Sequence, residues 1–221
     1  MSELEKEIKE RITSYAWDVV DGKILACQNI ILACKRFIAF LQRDDMYFDI
    51  EEVEKTIRFF GKFKHFTGQY NRHSFTLQEW QKFMLCGIYG FKWKKDDTRV
   101  TRTFILSVSR KQGKTSCISI MAIKALLEEN NAQVIVAANS ASQASILFKM
   151  ASSYLKSLGG KVDKLFRRFR DRIMFDKTDS VMRVVSADAS RLDGLNCNFA
   201  VVDEISQAPN SDVYDVLESS M

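Results

Sequence analysis

The feature that most constrains the fold of this 221-residue chain is a short polar loop between an apolar run and a long helical pattern. Phe104–Val108 is apolar enough to form a strand, and Lys114–Glu128 carries apolar residues at helical spacing. The loop between them ends in Gly113, directly before Lys114 and Thr115. We predict a strand, a turn and a helix whose N-terminal N–H groups point into the turn.

Beyond this unit, apolar runs alternate with helical stretches, as in parallel βαβ units. We predict strands at Gln133–Ala137, Val181–Val185 and Phe199–Val202, and a helix over Ala141–Leu158. Arg172–Phe175 is a further candidate strand, expected to pair with Val181–Val185. The fold class is therefore α/β, with a mostly parallel sheet flanked by helices.

The N-terminal part of the chain has helical patterns instead. Ser2–Val20 and Lys23–Gln42 carry apolar residues at helical spacing. Asp49 followed by Glu52 forms a capping-box signature, which predicts a third helix to about Phe60.

The same signature at Thr76 and Glu79 opens a predicted helix that runs to roughly Tyr89. We expect a helical N-terminal region over residues 1–75 and a P-loop core over residues 76–221.

Composition excludes several classes of protein. With 46% hydrophobic residues and a single proline, the chain is neither disordered nor collagen-like. The net charge of +5 suits a polyanionic partner without requiring one. Charged residues interrupt the most apolar window, Ile24–Leu41, so no membrane span or membrane partner is expected.

The cysteines and the N-terminus indicate a reducing compartment. The cysteine count is odd and contains no C-x-x-C pair, which is typical of core thiols rather than of a disulfide scaffold. Met1–Arg11 lacks the basic and then apolar order of a secretory signal. We expect a cytoplasmic protein. The five cysteines are Cys27, Cys34, Cys86, Cys117 and Cys197.

The loop before Lys114 has the chemistry of a phosphate-binding loop, although Val108 stands where such loops usually begin with glycine. Its backbone N–H groups are expected to surround the phosphates of a nucleotide, and Lys114 to reach the same oxygens. The hydroxyl of Thr115 is the expected Mg²⁺ ligand. The candidate nucleotide-binding residues are Ser109, Arg110, Lys111, Gln112, Gly113, Lys114, Thr115 and Ser116.

A second motif supports this interpretation. Phe199–Val202 is an apolar run that ends in two carboxylates, Asp203 and Glu204. This order is typical of a Walker B strand, in which the first carboxylate holds Mg²⁺ and the second activates a water molecule. Together the two motifs predict a hydrolytic NTPase.

A third element precedes both motifs. Gln78 and Gln81 lie at the start of the predicted helix near Trp80. A glutamine amide can donate to and accept from the N6 and N7 edge of adenine, which would select ATP. An ordinary amphipathic helix start explains the same residues.

Taken in order, these motifs resemble the N-terminal ATPase domain of the terminase large subunits of tailed bacteriophages and prophages. The resemblance runs from about Tyr15 to the end of the chain. It is carried by Trp80-Gln81, the loop Arg110 to Thr115, Ala137-Ala138-Asn139-Ser140 with Gln143-Ala144, Leu192-Asp193-Gly194-Leu195-Asn196, and Val201-Val202-Asp203-Glu204.

The resemblance implies an ASCE-type, RecA-like P-loop NTPase that uses ATP and Mg²⁺ to move double-stranded DNA into a procapsid. The implied partners are the DNA, the portal protein and the terminase small subunit. The implied assembly is a homo-oligomeric ring on the portal, with a monomer in isolation, in the cytoplasm of a bacterial host.

The resemblance also assigns roles to arginines. In this family the phosphate-binding loop commonly lacks its first glycine and carries an arginine, so Arg110 is expected to act on the phosphates within the same chain, beside Lys114 and the base Glu204. Relatives carry Arg-Gly ahead of Walker B for an arginine that acts on a neighbouring subunit, but this chain has Asp193-Gly194. Arg191 is the candidate substitute.

The family continues into a coupling motif and a nuclease domain, so we expect this chain to be truncated before both and to lack nuclease activity. Two alternatives stay open: another P-loop motor on nucleic acid, such as a helicase-like ATPase, and a nucleotide- or DNA-binding module without turnover. A basic cluster with an aromatic residue, Arg167–Arg172, could contact phosphates or form a solvated face.

Overall fold

The computed structural model describes residues 2–66, 71–138, 141–186, 196–205 and 210–221. The chain divides into two compact units, which are described separately. The first unit comprises Met1–Lys62 and Phe75–Ser107, and the second comprises Phe63–Ser74 and Val108–Met221. The predicted boundary between residues 75 and 76 stays a prediction.

The first unit is mainly helical, with one short antiparallel strand pair. Its helices are α1 (Glu3–Arg11), α2 (Tyr15–Val20), α3 (Gln28–Phe40), α4 (Ile50–Phe60) and α5 (Glu79–Leu85), followed by a π-helical turn (Cys86–Gly90). Its strands are β1 (Met46–Phe48) and β2 (Phe91–Trp93).

The prediction of a single helix over Ser2–Val20 is wrong, because the helix breaks between α1 and α2. The break falls at Ile12 and Thr13, where the hydroxyl of Thr13 accepts a hydrogen bond from the Tyr15 N–H at 3.1 Å. A hydroxyl that competes for backbone donors in this way favours a turn over a continued helix.

The next two helices start later than predicted. Helix α3 begins at Gln28 rather than Lys23, because the Lys23 and Ile24 N–H groups both donate to the Asp18 carbonyl and fold back on α2. Helix α5 begins at Glu79 rather than Thr76, and it ends at Leu85.

The predicted start of α4 is confirmed. Asp49 Oδ1 accepts a hydrogen bond from the Glu52 N–H at 2.9 Å, and the helix runs to Phe60. Asp49 Oδ2 also lies 2.8 Å from Lys92 Nζ on β2, which joins the helix start to the strand pair. A single side chain thus caps a helix and pairs with a lysine.

The core of the first unit is built around the ring of Phe37. This ring makes edge-to-face contacts, at centroid distances between 5.3 and 6.0 Å, with the aromatic rings of Trp17, Phe48, Phe83 and Phe91. Such pairs add to the stabilisation from apolar burial.

The second unit holds a five-stranded sheet flanked by helices. Its helices are α6 (Lys114–Glu128), α7 (Ala141–Ser157), α8 (Gly160–Asp163) and α9 (Asp212–Ser219), and its strands are β3 (Gln133–Ala138), β4 (Phe166–Arg168), β5 (Arg172–Phe175), β6 (Ser180–Ser186) and β7 (Phe199–Asp203). The predicted helices and strands beyond Lys114 are all present, with bounds shifted by one residue at most.

The strand order is β4-β5-β6-β3-β7. Strand β3 is parallel to both β6 and β7, whereas β4 with β5 and β5 with β6 are antiparallel. The α/β class is confirmed, but the described sheet is mixed, and a mostly parallel sheet is not confirmed. The antiparallel pairs arise because short turns join these strands, and such turns cannot make a parallel crossover.

The predicted strand Phe104–Val108 is wrong. This segment has no regular secondary structure, and the side chains of Phe104 and Ile105 are 43% and 83% exposed. A strand requires hydrogen bonds to a neighbouring strand, and among the described residues no strand pairs with this segment.

The centre of the second unit is β3, whose residues Val134 to Ala137 are fully buried. Ile135 and Ala137 face one side of the sheet, where they pack with Val213 and Leu217 of α9. Helices α6 and α7 pack against each other and contact β3 and β6.

The prediction of core thiols holds for four of the five cysteines, and Cys27 is exposed. Burial raises the pKa of Cys34 to about 11 and that of Cys117 to about 12. Among the described residues, no helix is both long and apolar enough to cross a bilayer.

Candidate active site

The loop that precedes α6 forms the turn predicted for it. Gly113 occupies the N-cap position with φ 79° and ψ 13°, and its carbonyl accepts a hydrogen bond from the Cys117 N–H at 3.0 Å. This left-handed conformation favours glycine, because a Cβ makes it costly. Helix α6 then begins at Lys114 and runs for 15 residues, which places a long helix dipole behind the loop.

The structure brings together the two charged residues that sequence reasoning assigned to separate motifs. Lys114 Nζ lies 2.9 Å from Asp203 Oδ1, although the two residues are far apart in the sequence. The side chains are 30% and 15% exposed, so the pair is partly shielded from water. Asp203 reaches this position because it is the last residue of β7, at the end of the strand beside the start of α6.

Asp203 is also bonded to the backbone that follows it. The Glu204 N–H donates to the same oxygen, Asp203 Oδ1, at 3.0 Å. In the part of the chain described, Asp203 Oδ2 makes no hydrogen bond, so one carboxylate oxygen is open.

Backbone strain occurs on both sides of this ion pair. Lys111, in the loop, has φ 67°, and Glu204, directly after β7, has φ 55°. Residues other than glycine rarely adopt positive φ, and the conformation costs on the order of 1 kcal/mol or more at each position. Positive φ also occurs at Arg72, Asp97, Asn131 and Asp179, so this conformation accompanies the site and does not by itself identify it.

The loop residues differ in exposure. Ser109, Arg110, Lys111 and Gln112 are exposed, whereas Gly113 to Ser116 are half-buried. The Ser116 hydroxyl lies 3.5 Å from Met150 Sδ on α7. The exposed part of the loop is therefore the part whose backbone and cationic side chains are accessible to a ligand.

The donor set fits Mg²⁺ together with a phosphate. Mg²⁺ prefers oxygen ligands and is commonly held by one or two protein oxygens together with phosphate and water. The open Asp203 oxygen and the half-buried hydroxyl side chain of Thr115, the second residue of α6, are of that kind. Among the described residues, no three or more His, Cys, Asp or Glu side chains form a cluster that could hold a metal ion by themselves. Phosphate and water would have to complete the ligand set.

Gln78 and Gln81 lie in the first unit, where they form the start of α5. The Gln78 N–H donates to Gln81 Oε1 at 2.9 Å, and Gln81 is 4% exposed. The amide oxygen of Gln81 therefore acts as a helix cap. Recognition of adenine by these residues stays a prediction.

Arg191 and the neighbouring Asp193-Gly194 lie outside the described residues, as do Asn139 and Ser140. The arginine that acts on a neighbouring subunit therefore also stays a prediction.

Two features of the site were missed from sequence. The direct pairing of Lys114 with Asp203 could have been suspected from their opposite charges at a helix start and a strand end, but no local pattern measures their separation. The positive φ of Glu204 has no signal in the sequence, because glutamate is not a residue that favours this conformation.

Comparisons with known proteins show the family of this chain and a similar fold. The family model described as "Terminase large subunit, ATPase domain" matches residues 79–221. A crystal structure of the HK97 bacteriophage large terminase is similar with a TM-score of 0.64 and 24% sequence identity, over 76% of this chain. The chain spans 35% of the length of that protein. A comparison with curated proteins found no match.

Proposed function

Because the chain belongs to the family of terminase large subunit ATPase domains, we propose that it hydrolyses ATP to move double-stranded viral DNA into a procapsid. The observation that carries the proposal is the pairing of Lys114 with Asp203 at 2.9 Å. A cation at a helix N-terminus beside a carboxylate at a strand end suits a nucleotide triphosphate with its metal ion.

The fold supports the same conclusion. A loop that leads into α6 and then β3, with β7 parallel to β3 and ending at Asp203, matches part of the arrangement of an ASCE-type, RecA-like P-loop NTPase. The strand that precedes the loop in such a fold is absent from the described residues, where 104–108 form no strand. In such a fold the phosphate-binding loop and the carboxylate motif meet at one edge of the sheet.

The loop residues would bind the nucleotide. Lys114 and Arg110 would offset the negative charge of the phosphates, while the backbone N–H groups of the loop and of the first turn of α6 would donate to phosphate oxygens. Because Lys114 already contacts Asp203, the phosphates must compete with this carboxylate for the ammonium group.

Glu204 is the proposed general base. Its carboxylate would accept a proton from the water that attacks the terminal phosphate, and its position directly after β7 places it next to Asp203. Thr115 and Asp203 would hold Mg²⁺, which when bound supplies positive charge that stabilises the transferring phosphoryl group.

The remaining parts of the proposal concern partners. We propose that the chain acts in the bacterial cytoplasm in a ring on the portal protein, with the small subunit, and that Arg191 reaches the site of a neighbouring copy. These partners follow from the family rather than from contacts in this structure. We propose no DNA cleavage by these residues, and Mn²⁺-dependent cleavage by the purified chain would contradict this.

The experiment that tests the proposal compares ATP binding and hydrolysis by the chain and by Lys114→Ala, with Lys149→Ala on the exposed surface of α7 as the matched control. Lys114→Ala should lose nucleotide binding and turnover, and Lys149→Ala should keep both. Binding without turnover in the parent chain would favour the binding-module alternative. Equal activity of parent and Lys114→Ala would overturn the proposed site.

A further inference from the structure

We propose that the exposed face of the β4-β5-β6 sheet binds the phosphate backbone of double-stranded DNA through Arg172 and Arg183. This inference rests on the proposed function for the identity of its partner. The surface is defined by these two arginines together with Phe169 and Arg167 and is called the arginine face below.

The strand register places these residues together. Arg172 of β5 lies directly opposite Arg183 of β6, and Arg183 lies opposite Ile135 of β3. Directly paired residues share a face of a sheet, so both arginines are on the side where Ile135 packs beneath α9. Ile135 is fully buried there, whereas Arg172 and Arg183 are exposed. The same side of the sheet is therefore covered at its centre and open at β5 and β6.

The two arginine side chains leave the sheet from directly opposed backbone positions. The Val184 N–H donates to the Asp171 carbonyl at 2.9 Å, so the next pair, Arg172 with Arg183, is a non-hydrogen-bonded pair. Side chains stand nearest one another in such pairs, and like charges directly opposite are destabilising. Among the described residues, neither arginine forms an ion pair that would relieve this repulsion. A negatively charged ligand would relieve it.

Phe169 orients one of these arginines. The Phe169 N–H donates to the Arg172 carbonyl at 2.8 Å across a two-residue turn, and the Arg172 guanidinium lies 4.8 Å from the centre of the Phe169 ring. Stacking uses the flat face of the guanidinium and leaves its N–H groups free at the edge. These in-plane donors match the oxygens of a phosphate.

Arg167 borders the same face but contributes less positive charge. It lies opposite Met174, two residues from Phe169, and its guanidinium is 2.7 Å from Asp176. The carboxylate of Asp176 offsets this charge, so the free cationic donors are Arg172 and Arg183. A phosphate backbone, with a charge on each nucleotide, is the partner that complements two adjacent unpaired arginines.

The test measures binding of a fluorescein-labelled DNA duplex to the full chain over a series of salt concentrations. Arg172→Gln/Arg183→Gln is compared with Lys35→Gln/Arg36→Gln, two exposed positions of α3 that change the net charge by the same amount. Each phosphate contact contributes about 0.9 to the slope of log affinity against log salt, so losing two should lower the slope by about 1.8. The expected loss of affinity is tenfold or more, and the α3 variant should keep most of the parental slope.

Thermal unfolding distinguishes a role of Arg172 and Arg183 in DNA binding from a role in folding. Removing both repelling charges should leave the melting temperature of Arg172→Gln/Arg183→Gln unchanged or raise it, whereas a role in folding would lower it. Arg172→Lys/Arg183→Lys should retain most of the salt slope, because the charge is kept.

The outcomes separate this inference from the proposed function. Basal ATP hydrolysis without DNA should be equal in the parent chain and in Arg172→Gln/Arg183→Gln, because neither arginine belongs to the candidate active site. An unchanged salt slope in this variant, or no duplex binding by the parent chain, would overturn the arginine face as a DNA contact. The comparison of ATP hydrolysis by the parent chain and by Lys114→Ala would still test the proposed function, independently of DNA binding by the arginine face.

Discussion

Lys114 and Asp203 neutralise each other across 2.9 Å, although one is expected to bind phosphate and the other to hold a metal ion. The Glu204 N–H donates to the same carboxylate oxygen, so Asp203 Oδ1 contacts both the Lys114 ammonium group and the backbone of the proposed base. Binding of a nucleotide must therefore divide an existing ion pair. The first two predictions concern Asp203 and Glu204 at this ion pair.

The first prediction concerns Asp203→Asn. Without Mg²⁺, this change should increase ATP affinity about three- to tenfold, because it removes a negative charge near the phosphates and frees Lys114. With Mg²⁺, Asp203→Asn should instead bind ATP more weakly than the parent chain, because the amide is a poorer metal ligand than the carboxylate. Titration with a fluorescent ATP analogue, with and without Mg²⁺, measures both effects.

Asp212→Asn, at an exposed position of α9, is the control for loss of one negative charge. It should leave ATP affinity unchanged under both conditions. If Asp203→Asn binds ATP more weakly than the parent chain even without Mg²⁺, the ion pair does not compete with the nucleotide.

The second prediction concerns Glu204→Gln. The amide cannot accept a proton from water, so turnover should fall by about 10² to 10⁴, while nucleotide binding stays near the parental value. Steady-state hydrolysis and equilibrium binding are measured on the same preparation. Parental turnover in this variant would show that Glu204 is not the base.

The third prediction concerns Asp49 and acid stability. Burial alone raises the pKa of Asp49, but hydrogen bonds from Lys92 and from the Glu52 N–H outweigh it, so the pKa lies below its ordinary range. The native carboxylate is therefore favoured, and its stabilisation is present above the unfolded pKa of about 3.9 and lost as pH falls through the native value. Chemical unfolding of the parent chain at neutral and acidic pH should show this loss.

Two variants separate the helix cap from the ion pair. Asp49→Ala removes both and should lower the free energy of unfolding at neutral pH by about 1 kcal/mol or more, since the loss of an N-cap alone costs about that much. Asp49→Asn keeps a cap acceptor and should lose less, but it should abolish the acid dependence that comes from this residue. An equal loss in both variants would mean that the ion pair, not the cap, stabilises α4.

The fourth prediction concerns Gly90, at the end of the π-helical turn in the first unit. A Cβ at Gly90 would overlap the ring of Phe48, which is 7% exposed and has little room to move. Gly90→Ala should therefore lower the free energy of unfolding by about 1–3 kcal/mol, as other overpacked cores do. Thermal or urea unfolding measures the change.

Gly87 is the matched control, because it lies in the same turn and a Cβ there meets no atom within 4 Å. Gly87→Ala should be neutral or slightly stabilising, since alanine restricts the unfolded chain. Equal stability of Gly87→Ala and Gly90→Ala would show that Phe48 can shift without cost.

Much of the local structure was predictable because it depends on neighbours in sequence. Asp49 caps α4 through the Glu52 N–H, and Gly113 allows the turn from which α6 starts at Lys114. Both features depend on residues no more than four positions apart, and such short-range hydrogen bonds and backbone preferences can be recognised in a sequence.

Strand pairing was less predictable. Phe104–Val108 has the composition of a strand but forms none, whereas the short segment Phe166–Arg168 forms β4 because Arg172–Phe175 folds back beside it. A strand exists only where another backbone supplies hydrogen bonds, so its composition alone does not decide the outcome.

The sequence by itself determined the α/β class, the loop before α6 and the candidate carboxylates at the end of β7, because periodicity, caps and motif order are local properties. Only the structure shows that Lys114 meets Asp203 and that Arg183 is the residue of β6 opposite Arg172. The first pair depends on packing between distant parts of the chain, which places the end of β7 beside the start of α6 and which no short segment specifies. The second pair depends on the register of the β5-β6 hairpin, of which the sequence predicted the pairing but not the exact partners.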